Sequence, residues 1–254
     1  MARKIQPGTH IAPEQYKVRI LPRGPFLVYG RPPLSQQFII LNAEGDSWSF
    51  RQGEIYSLTA NPTALCRCGH SRVAPYCDGT HTKIEWGEEA AADHTPLLFD
   101  AERSEGPTLI LSDNERYCAF GRFCDAVGRV WHNVERSDDP TSRELAIRQA
   151  SLCPSGRLSV WDRVSGRPFE PHYEPSIALI EDPSMMASGG LWVRGGIPIV
   201  GADDEELEVR NRVVLCRCGA SANKPFCDGA HVAIHYDDNL PIDAYAYDEE
   251  ETQV

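Results

Sequence analysis

Short runs of alternating apolar and polar residues recur along this chain, and none of them is long. Gly24-Pro25-Phe26-Leu27-Val28-Tyr29-Gly30 has a counterpart in Gly190-Leu191-Trp192-Val193-Arg194-Gly195-Gly196. Further alternating, β-branched segments follow each: Gln37–Leu41, Ser47–Phe50 and Ile55–Leu58 in the first half, and Ile197–Val200, Glu205–Val209 and Arg212–Leu215 in the second. Period-two alternation bounded by turn residues predicts half-buried strands, so two similar antiparallel β regions are expected. Between them the pattern predicts a strand over Thr108–Leu111, a helix near Ser142–Ala150 and a strand over Leu158–Asp162. The predicted class is α+β, with two small β-rich domains over residues 1–87 and 183–254 and an α+β module inserted over 88–182. The polar stretches Glu85–Glu105 and Glu181–Gly190 read as linkers, and the acidic segment from Asp237 onward as a solvated tail.

Each β region ends in a cysteine–histidine box. The first contains Cys66-Arg67-Cys68-Gly69-His70-Ser71 and Pro75-Tyr76-Cys77-Asp78-Gly79-Thr80-His81. The second contains Cys216-Arg217-Cys218-Gly219-Ala220-Ser221 and Pro225-Phe226-Cys227-Asp228-Gly229-Ala230-His231. Three thiolates and an imidazole per box form a donor set for a metal ion or a small iron–sulfur cluster. Met1 to Lys17 lacks the apolar core of an export signal, which disfavours disulfides, and a Cys-x-Cys pair is strained if bridged.

Two occupants fit this donor set. A Cys3His tetrahedron is an ordinary structural zinc site. The spacing suits two two-point clamps better: Cys66 and Cys68 on one iron, Cys77 and His81 on the other, repeated by Cys216 and Cys218 with Cys227 and His231. Zinc knuckles mostly separate their paired cysteines by two to four residues, and here one residue intervenes.

Ligands, spacers and flanking residues together resemble the CDGSH iron–sulfur (mitoNEET-like) family, whose pattern Ser71, Pro75, Asp78 and Gly79 complete in one box and Ser221, Pro225, Asp228 and Gly229 in the other. Thr80 and Ala230 stand where the name-giving motif has serine. The resemblance implies a [2Fe–2S] cluster in each box, redox or cluster-handling roles, and the two cluster domains packed as an intramolecular pseudo-dimer within one monomeric chain. Independently of the family, Asp78 and Asp228 read as helix N-caps that place each histidine near a helix's positive end. Replacing one thiolate by imidazole eases reduction, and a ring that titrates near neutrality predicts a pH-dependent potential.

The three remaining cysteines, Cys118, Cys124 and Cys153, lie in the inserted module. With the Cys153-Pro154 pair and the strand–helix–strand pattern, they resemble a divergent mono-cluster ferredoxin in which Gly121 replaces the middle cysteine. Three thiolates with a missing corner suit a [3Fe–4S] cluster. An inherited fold that has lost its cluster is the other reading.

Charge narrows the list of partners. A net charge of −12 disfavours nucleic acid and anionic membrane surfaces, and no apolar run approaches a membrane span. The expectation is a cytoplasmic, non-enzymatic protein whose partner is a redox protein or an apo-acceptor of clusters. No phosphate loop, dinucleotide fingerprint or nucleophile elbow is present. Arg67, Arg217 and Lys224 read as solvated surface cations, His70 and His235 as solvent-facing, and Trp86 and Tyr236 as packing beside the boxes.

Overall fold

The computed structural model describes residues 3–87 and 93–242. The first half contains β1 (Lys17–Ile20), β2 (Phe26–Tyr29), β3 (Leu34–Leu41), β4 (Ser47–Tyr56) and β5 (Thr63–Leu65). The middle contains β6 (Glu102–Glu105), β7 (Leu109–Asp113), α1 (Val130–Glu135), α2 (Pro140–Leu152) and β8 (Leu158–Asp162). The last part contains β9 (Ser176–Asp182), β10 (Ala187–Arg194), β11 (Ile199–Val200), β12 (Arg212–Leu215) and α3 (Ala230–Ala233). The small strands and few helices make an α+β chain.

The halves repeat one another and exchange a strand. β1 pairs antiparallel with β2, Val18 opposite Val28, as β9 pairs with β10, Ile177 opposite Val193. β2 pairs with β5, Phe26 opposite Leu65, as β10 pairs with β12, Leu191 opposite Leu215. β3 of the first half then lies parallel to β9, Leu34 opposite Ile177. Reciprocally, β11 of the second half lies parallel to β1, with Ile199 opposite Val18. The sheets run β11-β1-β2-β5 and β12-β10-β9-β3-β4, so each contains strands of both halves. Their facing sides share one core, with Val18, Phe26, Val28, Leu34, Ile177 and Leu179 fully buried.

The outer faces of these sheets differ. The second sheet is covered by the middle module, so its strand β9 is buried on both faces, which its near-continuous apolar run suits. Ala178, Ile180, Trp192 and Val214 meet Ala119 and Phe123 of the module there. The module itself is the antiparallel sheet β6-β7-β8 backed by α1 and α2 around Leu109, Leu111, Val134 and Val160. Asp139 caps α2 by accepting from the Ser142 N–H at 2.8 Å, with Pro140 opening the first turn.

Several sequence expectations change. Ser47–Phe50 and Ile55–Leu58 were expected as separate strands; β4 is a single strand whose far end is an exposed sheet edge, where the apolar alternation is not needed. Glu205–Val209 forms only isolated bridges, Glu206 with Val200 and Val209 with Ile5. Glu181–Gly190 is not a linker, because β9, a 3₁₀ turn and β10 run through it. The boundary at residue 182 falls at the end of β9, a strand paired with β10 and β3 rather than with the module. Residues 88–92 of the Glu85–Glu105 stretch lie outside the described residues, and its end is β6. The segment after Asp237 begins inside the fold: Asp238 is buried, while residues 243–254 lie outside the described residues. Among the described residues no helix is long and apolar enough to cross a membrane.

Candidate functional site

Each box is a hairpin of loops hung on the end of a strand, β5 for the first and β12 for the second. Cys66 N–H donates to Pro75 O at 2.8 Å and Cys77 N–H to Ala64 O at 2.9 Å. In the second box Cys216 N–H donates to Pro225 O at 2.8 Å and Cys227 N–H to Val214 O at 2.9 Å. Ser71 Oγ donates to Tyr76 O at 2.6 Å, and Ser221 Oγ to Phe226 O at 2.7 Å. The serine of the motif thus closes the loop between the second and third thiols.

Asp78 and Asp228 have a related role, different from the one expected. Asp78 Oδ2 accepts from the Arg72 N–H at 3.0 Å and Oδ1 from the Thr80 N–H at 2.9 Å. Asp228 accepts likewise from Ala222 and Ala230. The N-cap positions are Gly79 and Gly229, both left-handed and without a side-chain cap. The helical turns after them are Thr80–Thr82 and Ala230–Ala233, too short for much dipole to act on the histidines. The two N–H groups hold the Asp78 carboxyl down to about 2.

All eight predicted donors are brought together within their boxes, as two pairs in each. Cys66 Sγ and Cys68 Sγ are 3.8 Å apart, and Cys216 Sγ and Cys218 Sγ 3.7 Å. Cys77 Sγ lies 3.3 Å from His81 Nδ1, and Cys227 Sγ 3.4 Å from His231 Nδ1. A tetrahedral metal with bonds of about 2.3 Å to sulfur and about 2.0 Å to nitrogen has edges of roughly 3.8 Å between two sulfurs and roughly 3.5 Å between sulfur and nitrogen. Each pair therefore spans one edge of a metal's coordination shell. Among the described residues, no group of three such donors is close enough to hold one ion.

Only the first thiol of each box is prepared for deprotonation, and burial pushes Cys77 and Cys227 up. The Cys68 S–H and backbone N–H groups of Ser71 and Gly69 stabilise the Cys66 thiolate, bringing it to about 6 despite its burial. Cys216 falls to about 6 through Cys218, Ser221 and Gly219, with help from the Lys224 charge. The second thiol of each pair is pushed up, chiefly by its hydrogen bond to the first and by burial. Burial, then Arg217, lowers the His231 ring to about 4. Its surroundings therefore favour the neutral ring, the form that binds a metal, over one that titrates near neutrality.

The boxes abut. Gly69 and Gly219 are left-handed, at φ 80° and 78°. A Cβ on Gly69 would lie 2.5 Å from Cys218 O, and one on Gly219 2.6 Å from Cys68 O. Glycine is required here by the approach of the other box's backbone as much as by its own conformation.

Charged groups expected at the surface are instead buried: Arg67, Arg217 and Lys224 are all less than a tenth exposed. Arg67 Nε donates to Gly24 O and its guanidinium lies over the Trp86 ring. Arg217 donates to Gly189 O, Ile180 O, Glu181 and Asp238. Lys224 Nζ donates to Ser221 O. These cations hold the loops as well as offsetting negative charge, and the single basic letter between two cysteines gave no sign of that. Tyr236 packs on Cys216 and Cys218, while His70 and His235 are exposed as expected.

In the middle module Cys118, Cys124 and Cys153 line one small recess of about 20 Å³, with Gly121, Phe123 and Pro154. Burial, then Asp125 and Cys153, pushes the Cys124 thiol up to about 12. Arg157 lines the same recess and is paired with Asp113 at 2.8 and 2.9 Å. Cys153 is positioned by a residue that the sequence reading missed, the fully buried Arg212 of β12. Its guanidinium donates to Ala150 O, Ser151 O and Cys153 O at 2.7–2.8 Å and to Leu158 O at 3.2 Å, and it pairs with Glu170. A charged residue opening the apolar run Arg212-Val213-Val214-Leu215 was the available signal.

A family model described as an iron-binding zinc finger of CDGSH type matches residues 23–82 and again 188–232. A second, described as a divergent 4Fe-4S mono-cluster, matches residues 104–163. No curated protein and no solved structure matches the chain. Two CDGSH-type matches with the mono-cluster match between them make this chain a tandem CDGSH iron–sulfur protein with a ferredoxin-like middle module.

Proposed function

We propose that the chain carries electrons through two [2Fe–2S] clusters, one held by Cys66, Cys68, Cys77 and His81 and the other by Cys216, Cys218, Cys227 and His231. The division of each donor set into two edge-spanning pairs supports this reading over zinc, since a single zinc ion needs four donors converging on one point. Bound there, a cluster supplies a one-electron couple, and the chain's own groups stabilise its charge: inward N–H groups at Gly69 and Gly219, and Lys224 beside Cys216. The reciprocal exchange of β3 and β11 supports packing of the halves as an intramolecular pseudo-dimer, which sets the boxes back to back. The middle recess, with three thiols, Arg157 as counter-charge and Gly121 in place of a fourth ligand, suits a [3Fe–4S] cluster.

The chain acts in this reading as a carrier for a redox protein partner rather than as an enzyme. Cluster delivery to an apo-acceptor is the second reading, and the partial exposure of Cys77 and His81 favours it. Iron, zinc and acid-labile sulfide on anaerobically purified protein, with absorbance and EPR on the same sample, test the proposal. Two [2Fe–2S] clusters give about four irons per chain, and a [3Fe–4S] brings the total to about seven. Cys124→Ser removes only the difference. Colourless protein holding one zinc per box overturns the cluster reading.

A further inference from the structure

The boxes are near-copies in sequence, yet their surroundings differ, and the middle module causes the difference. Its segment leading into Cys118 docks on the second box: Tyr117 meets Phe226 edge-on with ring centres 4.9 Å apart, and Asn223 Nδ2 donates to Arg116 O at 2.8 Å. The next residues continue across the ligand loop. A Cβ on Gly229 would meet Phe120 Cβ at 3.3 Å and Cys118 O at 3.4 Å, while Ala119 and Phe123 share an apolar cluster with Cys227. Arg122 secures this loop to the second sheet by pairing with the buried Asp182 at 2.6 Å and donating to Ser184 Oγ at 2.9 Å.

The first box has no such cover among the described residues. Val73, which corresponds to Asn223, is 52% exposed, and a Cβ on Gly79, which corresponds to Gly229, meets nothing within 4 Å. The ligands record the contrast. Cys227 and His231 are 2% and 3% exposed, whereas Cys77 and His81 are only half-buried.

We propose that the loop Cys118–Cys124 is a fixed lid over the second box, and that the two metal sites divide their work accordingly. The first box is the exchange site, which an external acceptor or partner meets; the second holds its metal out of reach. The claim concerns access to the metal and rests on each box being occupied as proposed above.

Metal release to excess EDTA from the full chain, followed by visible absorbance, tests it. The expected decay has a fast phase and a phase at least about tenfold slower. Cys77→Ser abolishes the fast phase and Cys227→Ser the slow one; any phase common to both variants belongs to the middle thiols. Phe120→Ala, at a partly exposed side chain, and Arg122→Ala, at the latch, each bring the slow phase to within about threefold of the fast one and leave the fast phase unchanged. A single rate shared by both boxes, a slow phase assigned to the first box, or lid variants that leave the slow phase untouched overturns the proposal. Should the protein hold zinc, the cluster reading fails separately, and the same variants followed with a zinc-binding dye still decide whether the lid exists.

Discussion

Removing Arg212 should open the middle module, because this one side chain ties four carbonyls and a carboxylate to β12. Arg212→Leu preserves apolar volume near the backbone and deletes every one of those bonds. Glu170, whose side chain is 5% exposed, then loses the guanidinium that pairs with it at 2.8 and 3.1 Å. Breaking a buried pair from one side costs about 3–5 kcal/mol, mostly because the remaining charge is left unpaired. The carbonyls of Ala150, Ser151, Cys153 and Leu158 add up to about 1 kcal/mol each unless water reaches them. The ion-pair loss alone, about 3–5 kcal/mol, is a large fraction of the roughly 5–15 kcal/mol that holds a typical domain folded, and the carbonyls can only add to it. Urea unfolding followed by helical circular dichroism, with Cys153 reactivity toward Ellman's reagent as a local probe, should show an earlier transition and a faster-reacting thiol. The double variant Arg212→Leu/Glu170→Leu should recover much of the loss, since it removes the orphaned charge. A loss below about 1 kcal/mol, or a double variant no better than the single, would refute the argument that this arginine holds the Cys-Pro loop.

Further outcomes follow from the boxes and their buried charges. Gly69→Ala and Gly219→Ala each drive a methyl to within 2.6 Å of backbone in the opposite box, so either single change should lower metal retention in both boxes, read as metal per chain after gel filtration. Burial pushes Glu181 up from 4.5 to about 7, with Asp238 competing for the same guanidinium. This group's stabilising contribution is therefore full below about pH 4.5 and is lost as pH rises through 7; Glu181→Gln should flatten stability against pH across that window, by about 3 kcal/mol at most. Lys224→Met takes a cation from beside Cys216 and should lower the reduction potential of the second box alone, by about 60 mV if the charge is worth about 1.4 kcal/mol, in a spectroscopic titration.

The candidate donors stand out in the sequence because metal chemistry constrains residue type and spacing at once, and the same spacing occurs twice. Strand positions were legible where one face is buried, as in β2, where Phe26 and Val28 point inward. What escaped was information that local patterns do not contain. The run Ser176–Asp182 alternates poorly because both of its faces are buried, one by the shared core and one by the module, so the period-two pattern does not mark it as a strand and its last two residues fall in the stretch read as a linker. Lys17–Ile20 carries the alternation, but only four residues of it. Asp238 reads as part of a solvated tail because the segment after Asp237 is acidic; inside the fold it pairs with Arg217, accepts from the Leu240 N–H and donates its own N–H to Ser188 Oγ.

Strand exchange is the clearest case of what a one-dimensional pattern leaves open. Alternation tells which face of β3 is buried, and it is silent on whether β3 adds to β1 of its own half or to β9 of the other. The structure decides that: four residues separate Tyr29 from Leu34 and four separate Arg194 from Ile199, and across each of these links the chain passes from one sheet to the other. The two parallel pairings, β3 on β9 and β11 on β1, put strands of both halves in each sheet, and the two candidate centres meet where Gly69 lies against Cys218 and Gly219 against Cys68.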